Sequence, residues 1–237
     1  MRCKACLGLL LLLVLAFSIQ AHDLWVASTD DGYVVMRGHL PDRSDPYDPE
    51  CIQTLAAFDE KGLPLPLKRL DREQRVLVEP LSSPALVAVV SKWGHRIIDG
   101  DGRKRFMSKA EALESGAVVR EAFFSTQYSK TLFRFNERFA KPLGMKFEVV
   151  PQKSPFGLHE GDLLPVQVLF DGAPLLKGKI ERGRQMAPLE TDRHGMAQIP
   201  IQTKGWQKIL VVHDTPATET QDVDYYRHFA FLVFEVQ

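Results

Sequence analysis

Short extended segments separated by turn-forming residues recur along this chain, and they constrain its fold more than any other feature. The turns carry Gly and Asp, as in Asp30-Asp31-Gly32, Asp171-Gly172 and residues 191–195. Between them lie segments rich in aliphatic and aromatic side chains, a composition typical of β-strands. Strands at a spacing of roughly 8–12 residues, with turns between them, indicate an all-β fold of the sandwich type.

The sequence predicts one short helix among many strands. The helix covers residues 108–116, with Ser108 as its N-cap, Glu111 three residues later and Gly116 at its end. Residues 63–67 are interrupted by Pro64 and Pro66 and predict an edge strand at best. The other predicted strands are residues 24–27, 33–40, 52–58, 75–78, 85–91, 120–135, 166–170, 175–181, 196–199, 207–213 and 226–236.

Pro and Gly cluster between residues 151 and 161 and predict a domain boundary there. We therefore expect a cleaved signal peptide over residues 1–21, an N-terminal β domain over residues 22–150 and a C-terminal β-sandwich domain over residues 151–237. Both domains are predicted to be sandwich-like.

The first 21 residues have the pattern of an export signal. Arg2 and Lys4 precede an apolar run over residues 9–17, and Ala21 supplies the small residue before a cut. The run is too short to span a bilayer, so we expect a periplasmic protein that is not embedded in a membrane. The chain carries 30 basic and 30 acidic residues, and the signal removes two basic ones, so no basic excess favours a nucleic-acid partner.

Cleavage after Ala21 would make His22 the first residue of the mature chain. An N-terminal histidine offers its α-amine and its imidazole together, which is a ready chelate for a borderline divalent metal. Asp23 could add an oxygen ligand. A cut one residue earlier would place Ala21 first and remove the chelate.

Two further histidines end predicted strands and are candidate metal ligands. His39 follows Gly38, a residue that allows close approach of backbone or ligand. His213 ends an apolar run and is followed by Asp214, which could fix its tautomer. The alternative is that either histidine is a polar strand end facing water. His228 is a weaker candidate, and no compact zinc motif occurs.

The loop after His39 carries Asp42, Asp45, Asp48 and Glu50. Their spacing does not match the alternating oxygen ligands of a calcium-binding EF-hand loop. Because three prolines accompany them, we interpret this segment as a turn-rich loop.

Four pieces of sequence occur in a characteristic order. They are Ala21-His22-Asp23-Leu24-Trp25; Gly38-His39 with Asp48-Pro49-Glu50; Phe147 to Pro151 with the hairpin from Leu169 to Leu175; and residues 191–195 with Gly205-Trp206 and the closing run from Phe231 to Val236. With these the chain resembles a family of exported bacterial domains of unknown function, described as periplasmic nickel-uptake or nickel-transport components. Members are associated with energy-coupling-factor nickel and cobalt transporters. The resemblance implies a periplasmic metal-handling protein with a transthyretin-like or carboxypeptidase-regulatory-like C-terminal part.

We therefore expect a non-enzymatic accessory protein that binds nickel or cobalt through His22, His39 and His213 and passes it to a membrane transporter. Copper or zinc would suit the same imidazoles. The sequence contains neither a Gly-x-Ser-x-Gly elbow nor a phosphate-binding loop, so neither motif indicates an enzyme. Two alternatives stay open: a carbohydrate- or protein-binding sandwich without metal, and a copper protein with an N-terminal histidine brace.

Overall fold

The computed structural model describes residues 22–41, 43–181 and 188–236. The export signal predicted for residues 1–21 lies outside the described residues. Strands dominate the rest, as the sequence predicts. In chain order they are β1 (Asp23–Thr29), β2 (Gly32–His39), β3 (Arg43–Ser44), β4 (Ile52–Phe58), β5 (Pro64–Leu65), β6 (Leu67–Arg72), β7 (Arg75–Pro80), β8 (Leu86–Asp99), β9 (Lys104–Arg105), β10 (Val119–Leu132), β11 (Phe147–Pro151), β12 (Leu163–Phe170), β13 (Ala173–Pro174), β14 (Lys179–Glu181), β15 (Leu189–Glu190), β16 (Met196–Pro200), β17 (Gly205–Pro216) and β18 (Tyr225–Val236).

One α-helix, α1 (Lys109–Glu114), occurs in the described residues, at the predicted place. The Ser108 hydroxyl accepts a hydrogen bond from the Glu111 backbone N–H, and the Glu111 carboxylate accepts one from the Ser108 N–H. This capping box satisfies donors that a helix N-terminus would otherwise leave unpaired. No helix among the described residues is both long and apolar enough to cross a bilayer.

The strands form three sheets. The central sheet has nine strands in the order β15-β14-β17-β18-β10-β8-β4-β5, with β9 on β8. The N-terminal sheet has the order β1-β2-β7-β6, with β3 on β2. The C-terminal sheet has the order β11-β12-β13, with β16 on β12. The fold is therefore all-β and sandwich-like, as predicted.

The central sheet is apolar on both faces because each face packs against another sheet. Successive side chains of a strand point to opposite sides, so one strand contributes to both faces. On β8, Leu86 and Ala88 pack with the C-terminal sheet, whereas Val87 and Val89 pack with the N-terminal sheet. We call these two interiors the C-side core and the N-side core. The continuous apolar run of β18 follows from this, since a strand buried on both faces has no polar face to show.

Strands from both sides of residue 151 share the central sheet. β10 pairs in parallel with β18, from Phe123 opposite Tyr225 to Thr131 opposite Val233. The division into folding units at residue 151 stays a prediction.

Two of the longer strands, β6 and β11, are absent from the predicted set, and β8 is longer than predicted. The sequence predicts its end at Ser91, where polar residues begin, but the strand continues to Asp99. Gly94, with a φ of +73°, lies at an irregularity in the pairing with β10 and lets the strand bend and continue. The extension carries Trp93 and Arg96 toward the candidate site.

Candidate functional site

The hairpin of β1 and β2 brings His22 and His39 together. Asp23 on β1 pairs with Gly38 on β2, so the residues just beyond this pair are neighbours at the open end of the hairpin. Their imidazole rings stack, with centroids 5.2 Å apart and planes 24° apart. Two of the three predicted ligands therefore meet.

Asp45 and Arg37 each contact one nitrogen atom of the His22 ring. The Asp45 carboxylate lies 2.9 Å from Nε2, and the Arg37 guanidinium lies 3.3 Å from Nδ1. A neutral imidazole that donates from Nε2 to Asp45 and accepts at Nδ1 from Arg37 satisfies both contacts. Burial, reinforced by the charge of Arg37, lowers the pKa of His22, although Asp45 acts in the opposite direction. The ring is therefore neutral near pH 7, the state that a metal requires.

Asp45 is a site residue that the sequence pattern does not indicate. The pattern predicts a turn-rich loop here, and the Asp45 side chain of that loop contacts the His22 ring. The available signal was an acidic loop that begins three residues after His39. Sequence spacing alone does not say which of its carboxylates returns to the hairpin.

Asp23 is a possible oxygen ligand from the sequence, but its carboxylate bonds to other groups of the protein. Its side chain is buried, with one oxygen bonded to Lys208 Nζ and the other accepting a hydrogen bond of 3.0 Å from the Leu40 backbone N–H. It fixes the chain beyond β2 rather than presenting an oxygen to a ligand.

His39 carries a buried nitrogen without a partner. Within the described ranges, its Nδ1 is shielded from solvent and makes no hydrogen bond. Buried polar atoms are nearly always paired, so an orphan beside a second histidine calls for a ligand or a proton partner.

Gly38 allows the chain to fold back on this corner. A Cβ at this position would lie 1.9 Å from the backbone carbonyl oxygen of Arg43, far inside van der Waals contact. The close approach predicted for Gly38 is confirmed, and its partner is the backbone of β3, which leads directly to Asp45.

His213 lies on the other face of the central sheet. It pairs with His228 across β17 and β18, and its ring packs on Phe170 at 4.6 Å and on Phe147 at 6.2 Å. Phe147 belongs to the C-side core, whereas Trp93 beneath Arg37 belongs to the N-side core. The structure therefore does not bring the His213 ring to His22 and His39.

The neighbours of His213 also differ from the expectation. Asp214 makes a two-point ion pair with Arg227, at 2.9 and 2.8 Å, instead of bonding to the His213 ring. His228, the weaker candidate, is buried with its Nε2 3.1 Å from the Thr215 hydroxyl.

The described part of the chain contains no group of three or more His, Cys, Asp or Glu side chains already placed to hold a metal ion. The stacked rings of His22 and His39 direct their in-plane lone pairs along nearly parallel planes rather than to one point. A shared ion would require rotation of one ring. The α-amine of His22 becomes available only if export processing cuts after Ala21.

A cavity of about 570 Å³ opens beside His22. Gln127 from β10 forms part of its wall, donating to the His22 carbonyl oxygen at 2.9 Å and accepting from the Trp93 indole N–H at 2.8 Å. His22 is thus fastened to the central sheet by its backbone, while its ring borders the cavity. The volume lies in the range of small-molecule sites in proteins.

Comparison with known proteins places these features in a family. Residues 19–215 match the model of a domain of unknown function, DUF4198. Neither the curated proteins nor the solved structures give a match to the chain. The family match begins just before His22 and covers the hairpin, β8, β10 and most of β17. The chain therefore belongs to the DUF4198 family of domains of unknown function.

Proposed function

We propose that this protein is an exported, non-enzymatic metal-binding accessory that holds Ni²⁺ or Co²⁺ at the His22–His39 pair and passes it to a membrane transporter. The observation that carries the proposal is the adjacency of two imidazoles at the start of the mature chain. One is neutral, and the other has a buried nitrogen with no hydrogen-bond partner among the described residues. Two imidazoles and an α-amine form a donor set suited to borderline divalent ions.

Each residue at this corner has a distinct part in the proposal. His22 supplies the amine and Nδ1, and Asp45 orients its ring through Nε2, as carboxylates do behind metal-bound histidines. His39 supplies a second imidazole after its ring rotates. Arg37 leaves Nδ1 when the ion enters, because two cations cannot share that position. The proposal gives His213 no contact with this ion, since its ring packs on the opposite face.

Calorimetric titration of the mature chain with Ni²⁺, Co²⁺, Cu²⁺ and Zn²⁺ tests this function. We expect a dissociation constant in the micromolar range or tighter for at least Ni²⁺ or Co²⁺. A chain that retains Ala21 should bind at least about tenfold more weakly, a loss of about 1.4 kcal/mol, because its His22 amine is blocked. A dissociation constant of about 1 mM or weaker for the correctly processed chain would contradict the proposal.

His39→Gln and His159→Gln provide a matched pair of variants. His39 belongs to the proposed ligand set, whereas His159 is a histidine exposed at a distant loop. We expect the first substitution to weaken metal binding at least about tenfold and the second to leave it unchanged. Equal affinities of the two variants would remove His39 from the site.

A copper protein with an N-terminal histidine brace is the second candidate, because the same His22–His39 adjacency would serve it. It requires a redox-active ion and an open coordination position. Production of hydrogen peroxide by the copper-loaded mature chain in the presence of a reductant would favour it. If the copper-loaded chain produced no hydrogen peroxide and the chain bound nickel or cobalt tightly, the accessory function would be favoured.

A further inference from the structure

The cavity beside His22 is lined by more cations than the described carboxylates neutralise. The lining cations are Arg37, Arg96, Lys104, Lys177, Lys179 and Arg227. Arg227 is paired with Asp214. In the part of the chain that the structure describes, Arg37, Arg96 and Lys104 have no carboxylate within salt-bridge distance.

The cavity wall also includes one further carboxylate, Glu181. Burial raises the pKa of Glu181, and its charged neighbours are Lys208, Asp23 and Arg227. It therefore does not offset the charges of Arg37, Arg96 and Lys104.

These three cations share one confined space. Burial, and then the charge of Arg37, lowers the pKa of Arg96 to about 10. Burial also lowers the pKa of Lys104, with Arg96 and Arg37 as the next causes. Partly buried like charges are costly to keep together, and such arrangements concentrate at functional sites, where a ligand supplies the opposite charge.

Aromatic rings hold two of the guanidinium groups in place. Arg37 lies over Trp93 with 4.7 Å to the ring centre, and Arg96 lies over Phe106 at 4.3 Å. Arg96 Nη1 donates to the His95 carbonyl oxygen at 2.6 Å, which leaves its other N–H groups available. Fixed guanidinium groups with open donors suit carboxylate or phosphate oxygens.

Part of the remaining wall is apolar. Trp93, Phe123, Val212 and Phe229 line the cavity, and Phe106 lies at its edge with 63% of its surface exposed. Inorganic anions need no such surface, whereas an organic anion would bury its carbon skeleton against it.

We infer that this cavity binds a small organic anion, whose carboxylate or phosphate oxygens meet Arg37, Arg96 and Lys104 and whose apolar part packs on Trp93 and Phe229. The inference does not depend on metal binding, because Arg96 and Lys104 are not among the proposed metal ligands. Charge and shape together select the ligand: at least two negative charges to meet Arg37, Arg96 and Lys104, and a flat or aliphatic body for the aromatic part of the wall.

Calorimetric titration of the metal-free mature chain with phthalate, succinate, inorganic phosphate and benzamide tests the inference. Phthalate combines two carboxylates with an aromatic ring and should bind most tightly, with a dissociation constant below about 1 mM. Succinate should bind more weakly, and uncharged benzamide should show no measurable binding. Inorganic phosphate binding as tightly as phthalate would overturn the organic part of the inference.

Arg96→Gln and Lys104→Gln should each weaken phthalate binding at least about tenfold, whereas Arg134→Gln, at an exposed ion pair with Glu60, should not change it. Thermal unfolding verifies that each variant is folded. Absence of binding by all four probes, or equal phthalate affinity in the three variants, would overturn the inference. Nickel or cobalt titration of the same variants separates the two proposals, because loss of phthalate binding should leave metal binding intact.

Discussion

At the scale of single residues, the site depends on small departures from regular strand structure. The sequence predicts His22 and His39 as ligands because both occupy recognisable places, a predicted cleavage junction and a strand end. The sequence does not predict Asp45 or Arg37 as site residues. Their role depends on which nitrogen atom of His22 each one contacts, and only the folded arrangement determines that. Gly38 links the two sets, since its missing side chain lets the backbone of Arg43 pass closely enough for Asp45 to return to His22.

Gly38→Ala should disrupt this corner and lower the stability of the protein. The added methyl group would meet the Arg43 carbonyl oxygen, and backbone cannot move aside as a flexible side chain can. We expect a loss of about 1–3 kcal/mol in the free energy of unfolding, the usual cost of overpacking, together with weaker metal binding. Urea denaturation and metal titration measure the two effects. Gly144→Ala is the control, because nothing lies within 4 Å of its added Cβ, so any loss there reflects backbone strain without a change at His22.

At the scale of elements, β10 joins the layers through polar side chains. On one face, the Ser129 hydroxyl donates to the Leu24 carbonyl oxygen at 2.6 Å, and the Thr131 hydroxyl accepts from the Val26 N–H at 2.9 Å. On the other, Lys130 makes a buried ion pair of 2.9 Å with Glu148 of β11. The sequence predicted this strand from its aromatic residues. Its buried polar contacts could not be predicted, because their partners lie on strands whose positions are set by the whole fold.

Lys130→Met should destabilise the protein strongly. It leaves the Glu148 carboxylate buried with only the backbone N–H groups of Leu143 and Met145 as partners. Removing one member of a buried pair typically costs about 3–5 kcal/mol, because the other charge stays uncompensated. Arg134→Met removes a cation from an exposed pair and should cost less than about 1 kcal/mol. Urea denaturation at pH 7 compares the variants, and similar losses for both would show that Glu148 becomes protonated or hydrated at little cost.

At the scale of the whole molecule, local sequence patterns predicted the strands but not their arrangement. Alternating and continuous apolar runs follow from how each strand is buried, so the all-β class and most strand positions could be inferred. The order of the central sheet could not. Its parallel pairing of β10 with β18 joins residues far apart in the chain, and no local pattern encodes that partnership. For the same reason the sequence predicts His213 as a ligand beside His22, whereas β17 continues past His213 to Pro216 and the sheet separates the two rings.

His213 and His228 lie against the C-side core, and we expect their burial to make the stability of the protein sensitive to acid. Burial, and then the charges of Lys146 and His213, lowers the pKa of His228 to about 4, while Asp171 and Asp214 oppose the shift. Burial also lowers the pKa of His213. A histidine in the unfolded chain has a pKa of about 6.5. The unfolded chain therefore binds a proton at His228 more readily than the folded chain does. The contribution of neutral His228 to the free energy of unfolding is fully present above about pH 6.5 and is lost as the pH falls toward 4.

His228→Gln should flatten this dependence. Between pH 7 and pH 5, we expect wild-type His228 to contribute a loss of about 2 kcal/mol in the free energy of unfolding, and the variant to lose that much less. Urea denaturation at the two pH values measures the difference, and the slope is informative even if the substitution lowers stability at both. His159→Gln, at an exposed histidine, should retain the wild-type slope. His213→Gln should flatten the slope as well, since burial shifts its pKa in the same direction. If His228→Gln kept the full wild-type loss, burial would not lower the pKa of His228 in the folded protein.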